Sequence, residues 1–227
     1  MAAEFTLGDR ALIEGRLIWP ESGAIRGSFE IDGEDPISGA VTLGLPGVDI
    51  AVTIVSGGLS DTRVYANFNS GAGTLSKFPV EGQHFYQATP RTIFEQILNG
   101  SGETLFPEMP AICDQAIAHW MRIATTADNA LAQLVRHLGL AYWFEPDGRV
   151  RIGQIDYPEV TLDTLDVLPL DRPEWKRLDF ADDDAIVQPR TTLVTDYGSY
   201  RVVEVRYYLA RGIWRGEIFY EDPATVL

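Results

Sequence analysis

The sequence predicts an α+β fold that is mainly β, ordered as β strands, a small helix-containing insert, then β strands again. Three observations carry this. Apolar runs separated by turn dipeptides recur about every ten residues from 10 to 88, and again after 190, which is the spacing of a barrel or sandwich rather than of α/β winding. The 21 Gly and 13 Pro fall mostly in short clusters between those runs. One central stretch, Gln87 to Gly153, switches to helical spacing and then ends in a tight hairpin pattern.

Ala11–Trp19 reads as the first strand, closed by Pro20-Glu21-Ser22-Gly23. Ala24–Ile31 alternates roughly in period two and stops at the turn dipeptide Asp32-Gly33. Ala40–Leu45 and Val48–Val55 flank Pro46-Gly47. Thr62–Phe68 and Gly82–Gln87 are two further strands.

Thr89-Pro90 opens a helix. Thr can accept from the unpaired N–H groups of the first turn, and Pro loses nothing at the first helical position. Ile93, Phe94, Ile97 and Leu98 share one face, and Asn99-Gly100 reads as the stop. Residues 100–111 form a loop, and Ile112–Ile123 is expected to be a second short helix. Thr126 caps a third helix whose stripe is Ala127, Leu131, Leu134, Val135 and Leu138, ended by Gly139. Ala141–Phe144 and Arg149–Ile152 pair across Pro146-Asp147-Gly148.

From Asp156 to Asp184 the chain is acidic and punctuated by Pro, and Leu162–Leu170 has no clear pattern. Strands then return. Thr191–Thr195 and Tyr200–Leu209 flank Asp196-Tyr197-Gly198-Ser199, and Ile213–Tyr220 pairs back across Ala210-Arg211-Gly212. No internal repeat is evident.

Lys plus Arg number 18 against 33 Asp plus Glu, a formal net charge of −15. Such a surface repels nucleic-acid phosphates and anionic membranes, and suits a partner with a basic face or simple solubility. Cys113 is the only cysteine, so no disulfide can form within the chain. The N-terminal residues lack a basic segment followed by an apolar block, so no signal peptide is expected. Apolar runs are far shorter than a membrane span. Folding in a cytoplasm is the expectation.

Chemistry-bearing residues are sparse. Cys113 and His119 could make a nucleophile–base pair, but six residues apart on a helix they would face different ways. His84, His119 and His137 lack the close spacing of a metal-binding helix. Asp182-Asp183-Asp184 with Asp179 lacks the alternation of a calcium loop. Glu145 and Asp147 flank a hairpin turn and serve it. Gly71-Ala72-Gly73 and Gly100-Ser101-Gly102 are not followed by the Lys-Ser/Thr of a phosphate loop. Trp19, Trp143, Trp175 and Trp214 lie in or beside strands, where core or interface anchoring is commoner than sugar stacking. No catalytic, cofactor-binding or metal-ligating residue is therefore assigned.

Three segments together resemble a family: ATPRTIFEQILNGSGE, then TADNALAQLVRHLGLAYWFEPDGRVRIG, then YRVVEVRYYLARGIWRGEIFYED. They are similar to the baseplate hub, or tail hub, proteins of tailed bacteriophages, including Mu-like phages. The likeness covers about residues 85–153 and 198–222, and the N-terminal third only by its β character. It implies two β-barrel-like domains, 1–88 and 156–227, around an α/β insert at 89–155. It also implies a homotrimer that adapts a hexameric tail tube to a threefold spike or central fibre, and lines the DNA channel. The place would be the virion tail tip, assembled in the host cytoplasm without membrane insertion. DNA would be met only in passage, past a channel wall that the acidic charge keeps from sticking. Candidate subunit-interface residues are Trp19, Tyr207, Tyr208, Trp214 and Phe219. Two other readings stay open. A carbohydrate-binding module at a tail tip would show a groove of exposed Trp or Tyr. A hydrolase would show a coupled nucleophile and base.

Overall fold

The computed structural model describes residues 5–60, 63–161, 167–169, 175–180, 186–210 and 213–222, with the backbone alone at 167–169. The fold is α+β and mainly β. The first six strands are β1 (Thr6–Leu7), β2 (Arg10–Pro20), β3 (Arg26–Ile31), β4 (Gly39–Leu45), β5 (Val48–Ser60) and β6 (Arg63–Ser70). β1 pairs with both β2 and β4, while β4-β5-β6-β3-β2 form a continuous ladder, so these six close a barrel. Closure removes the free edges that would otherwise invite aggregation.

A small lobe follows. It contains β7 (Pro79–Val80), β8 (Gln83–Ala88), α1 (Pro90–Ser101), β9 (Ile117–Arg122), β10 (Thr125–Thr126), α2 (Ala127–Leu138), β11 (Ala141–Phe144) and β12 (Val150–Gly153). The chain then gives β13 (Glu159–Thr161), β14 (Val167–Pro169), β15 (Arg177–Phe180), β16 (Thr192–Thr195), β17 (Gly198–Ala210) and β18 (Ile213–Glu221). β17 pairs antiparallel with β2, from Glu204 opposite Pro20 to Leu209 opposite Gly15. The first and last thirds of the chain therefore share one sheet.

They also share one core. Trp19, Phe29, Tyr207 and Trp214 are all buried in it. Phe5 stacks on Trp214 at 3.8 Å between ring centroids, and Tyr207 meets Trp214 edge-on at 6.0 Å. Such pairs add about 0.5–1.5 kcal/mol beyond the area they bury. Gly216 is required where β18 passes Phe180, because a Cβ there would lie 2.0 Å from that ring.

The second core lies in the small lobe. Ile93, Phe94, Ile97 and Leu98 of α1 pack with Ala127, Ala130, Leu131, Leu134 and Val135 of α2, and with Tyr142, Phe144, Val150 and Ile152 of the hairpin. Leu75, Val80 and Phe85, ahead of α1, belong to it as well. Thr89 Oγ1 accepts from the Thr92 amide at 3.4 Å, and Pro90 opens α1. Gly139 ends α2 with a left-handed φ of 67°.

Three expectations change. The helix expected over Ile112–Ile123 is absent: a 3-10 turn at Ala111–Asp114 leads into β9. β8 offers β9 an unpaired ladder, and their pairing sets the Phe85 and Trp120 rings 5.8 Å apart, so tertiary pairing overrides the local pattern. Helix α1 does not stop at Asn99-Gly100. Gly100 packs beneath Phe78, and Gly102, at φ 76°, supplies the left-handed end. β5 runs to Ser60 rather than Val55, because a bulge between Ile54 and Ser56 absorbs the irregular residue.

Candidate assembly surfaces

The two longest hairpins are built alike. Each has a first strand of 13 residues, β5 or β17, and each first strand carries a bulge. Ser60 pairs with Arg63 as Ala210 pairs with Ile213, so two residues separate the closing pair in each. The match continues inward: Leu59–Val64 with Leu209–Trp214, Gly57–Ala66 with Tyr207–Gly216, and Ser56–Asn67 with Arg206–Glu217. Every one of these positions is offset by 150 residues along the chain. The buried residues of the second strands correspond too, Val64, Ala66 and Phe68 with Trp214, Gly216 and Ile218.

Across the sheet the order is β18-β17-β2-β3-β6-β5. Each hairpin thus presents its second strand on one side and its first strand on the other, in the same sense. In an antiparallel ladder, strands four places apart run in the same direction. A shift or rotation along the sheet carries one hairpin onto the other, and both tips lie at one end of it. The apolar side chains there are exposed: Leu59 and Tyr65 on one hairpin, Tyr208 and Ile213 on the other, with Ile13 of β2 between them.

The small lobe is fastened at the opposite end. The Gly23 amide donates to Tyr142 O at 2.8 Å, and the Ala51 amide to Pro146 O at 2.7 Å. Glu103, buried, accepts from the Ala72 amide at 2.8 Å and the Thr74 amide at 3.4 Å. The glycine turn 71–73 thus cradles a carboxylate of the chain itself. Burial pushes the Glu103 pKa above the usual carboxylate range, against the lowering effect of these amides. Arg190 donates to Glu21 O at 3.3 Å and lies over the Trp143 ring at 5.2 Å, and burial lowers its pKa to about 10. Tyr157 donates to Glu21 at 2.7 Å. A cleft of about 480 Å³ remains between barrel and lobe, lined by Arg26, Glu103, Asp128, Arg136 and Tyr142 among others.

Among the described residues, the chemistry candidates do not assemble into a reaction centre. Cys113 is fully buried, which raises its thiol pKa, whereas His119 stands exposed on β9 opposite Tyr86. His84 faces Met121 on the same strand pair, and His137 is exposed near the end of α2. Among the described residues, no group of three or more His, Cys, Asp or Glu is placed to hold a metal ion. Asp179 pairs with Arg177 on β15, and Asp182, Asp183 and Asp184 lie outside the described residues. Asp147 accepts from the Arg149 amide at 3.0 Å, and Glu145 accepts from Trp143 and Arg151, so both carboxylates serve the hairpin. Trp175 and Tyr197 are exposed, on separate parts of the chain. Among the described residues, no helix is long and apolar enough to cross a membrane.

The interface candidates divide. Trp19, Tyr207 and Trp214 are core residues at 3%, 2% and 4% exposure, and Tyr207 donates its hydroxyl to Val187 O at 2.6 Å. Tyr208 and Phe219 face outward, Phe219 beneath the Arg206 guanidinium at 4.3 Å. Alternating burial buries one of two adjacent tyrosines and exposes the other, and sequence alone leaves the phase of that alternation open. Leu59, Tyr65, Ile13 and Ile213 were not legible as surface residues, because apolar strand residues read as core.

No family model matches the sequence, and no curated protein matches it. Solved structures do match. A tail protein from Neisseria meningitidis MC58 superimposes with a TM-score of 0.67 at 14% identity, over 97% of this chain and 96% of that one. The 43 kDa tail protein of prophage MuSo2 from Shewanella oneidensis gives 0.66 at 8% identity, over 97% and 98%. The E. coli c3393 protein, described as a type VI secretion component with structural similarity to T4 tail proteins gp27 and gp5, gives 0.66 at 10%, over 98% and 78%. Along nearly its whole length, this chain has the fold of these tail and type VI secretion proteins.

Proposed function

We propose that this chain is a structural, non-enzymatic tail hub protein of a tailed phage or a phage-derived tail. The observation that carries the reading is the equivalence of hairpins β5–β6 and β17–β18. Three copies around a threefold axis present six like hairpins. A hexameric tube ring can then meet six similar contacts on one face, while threefold symmetry is left for a spike or central fibre on the other. The tail-protein neighbours support a place in a tail. The reading includes a partition into barrel-like domains 1–88 and 156–227 around the insert 89–155, and an acidic channel wall that lets DNA slide.

The test is light scattering and negative-stain imaging of the purified chain, alone and mixed with a tail-tube ring protein. A trimeric ring with a central channel, alone or on the tube, is the expected result. A chain that stays monomeric in both samples refutes the hub reading.

A further inference from the structure

One stripe of the sheet is a basic exception in an acidic chain. On the outer face, Arg215, Tyr208, Arg16, Ser28 and Asn67 stand in one cross-strand row over β18-β17-β2-β3-β6. The adjacent row on the same face is Glu217, Arg206, Ile18, Arg26 and Asn69. Arg16, Arg26 and Arg215 are exposed, and among the described residues none of the three has an ion-pair partner. The carboxylates nearby are mostly engaged: Glu217 by Arg177, Glu204 by Arg206 and Glu30 by Arg63. Among the described residues, Glu14 on β2 and the cleft carboxylates Glu103 and Asp128 beside Arg26 have no ion-pair partner, and Glu103 and Asp128 are held by hydrogen bonds within the chain. Arg16 and Arg26 open on a groove of about 350 Å³ floored by Gly27, Ser28 and Asn67.

We infer that this arginine stripe seats an acidic surface of a second copy of the chain, and so makes the contact between subunits head-to-tail. The inference rests on the assembly proposed above. Charge selects the occupant. A chain at −15 repels its own copies unless a basic patch meets an acid-rich face. In the threefold assembly proposed above every subunit contact is heterologous, so the stripe of one copy meets a different surface of the next. The same net charge disfavours approach of duplex DNA, the other polyanion that could use the stripe. Guanidinium groups suit the role because they pair with carboxylates through two parallel hydrogen bonds.

The experiment compares the wild-type chain with the triple variant Arg16→Glu, Arg26→Glu, Arg215→Glu, by light scattering over a salt series, with thermal melts of both. The wild type should assemble more weakly as salt rises. The variant should melt like the wild type, yet lose assembly by at least about tenfold in dissociation constant. If the variant does not fold, the triple Arg→Gln chain, which removes the charge without reversing it, is read in the same way. A variant that assembles as well as a trimeric wild type overturns the inference and leaves the hub reading standing. So does a wild type that retains duplex DNA through these arginines while its assembly ignores their loss. A wild type that stays monomeric alone and with a tube ring overturns both.

Discussion

Glu103 accepts the Ala72 amide at 2.8 Å, and by that bond a loop of the small lobe holds a turn of the barrel. Replacing Glu103 with Ala leaves the half-buried Ala72 and Thr74 amides without an acceptor. The expected loss is about 1–3 kcal/mol in unfolding free energy, read from urea denaturation. An unchanged midpoint would show that water or another group replaces the carboxylate without cost.

The same residue carries a pH signature. Its native pKa lies above the usual carboxylate value of about 4.3. Below that value Glu103 is protonated in both states and costs nothing. As pH rises through the raised native value, the unfolded chain releases its proton more readily, and stability falls. Melts of the wild type should therefore lose stability relative to Glu103→Gln as pH rises from about 4.3 to the raised native value, and no further above it. Parallel pH profiles for the two chains would contradict the assignment.

Gly71 is held at φ 65°, and a Cβ there would stand 2.3 Å from Glu103 Oε2 and 2.4 Å from Phe144. Gly71→Ala combines a left-handed alanine with overpacking at the lobe junction. A loss of about 2 kcal/mol or more is expected by thermal or chemical denaturation.

The aromatic residues of β17 and β18 should separate stability from assembly. Trp214→Ala empties a core site and should cost about 3–5 kcal/mol. Tyr207→Phe leaves Val187 O without its donor and should cost about 1 kcal/mol. Tyr208→Ala should change stability far less. If Tyr208→Ala melts as low as Trp214→Ala, the exposed position is structural after all.

Leu59 and Ile213 occupy the exposed tips, at 53% each. Leu59→Asp and Ile213→Asp should leave the melt within about 0.5 kcal/mol of the wild type. Both should abolish co-sedimentation with a tail-tube ring. Loss from only one of the two variants would argue that the tube meets only that hairpin tip.

Much of the local structure was legible in the residues. Thr89-Pro90, Gly139 and Pro146-Asp147-Gly148 mark their helix and hairpin ends because caps and tight turns depend on a few adjacent side chains. β9 was misread as helix because its partner β8 stands some thirty residues earlier in the chain, and strand pairing is a long-range interaction. The run of β5 past Ser56-Gly57-Gly58 was hidden for the same reason.

By itself, then, the sequence determined the β–insert–β order, the two helical stripes, the acid excess and the absence of a recognisable catalytic pattern. These depend on composition and on periodicities of a few residues. Only the tertiary structure decided that β17 joins β2, that Trp19, Tyr207 and Trp214 turn inward while Tyr208 turns outward, and that two hairpins 150 residues apart match in register. Register and facing are set by which strand lies alongside, and a shift of one residue reverses every side chain.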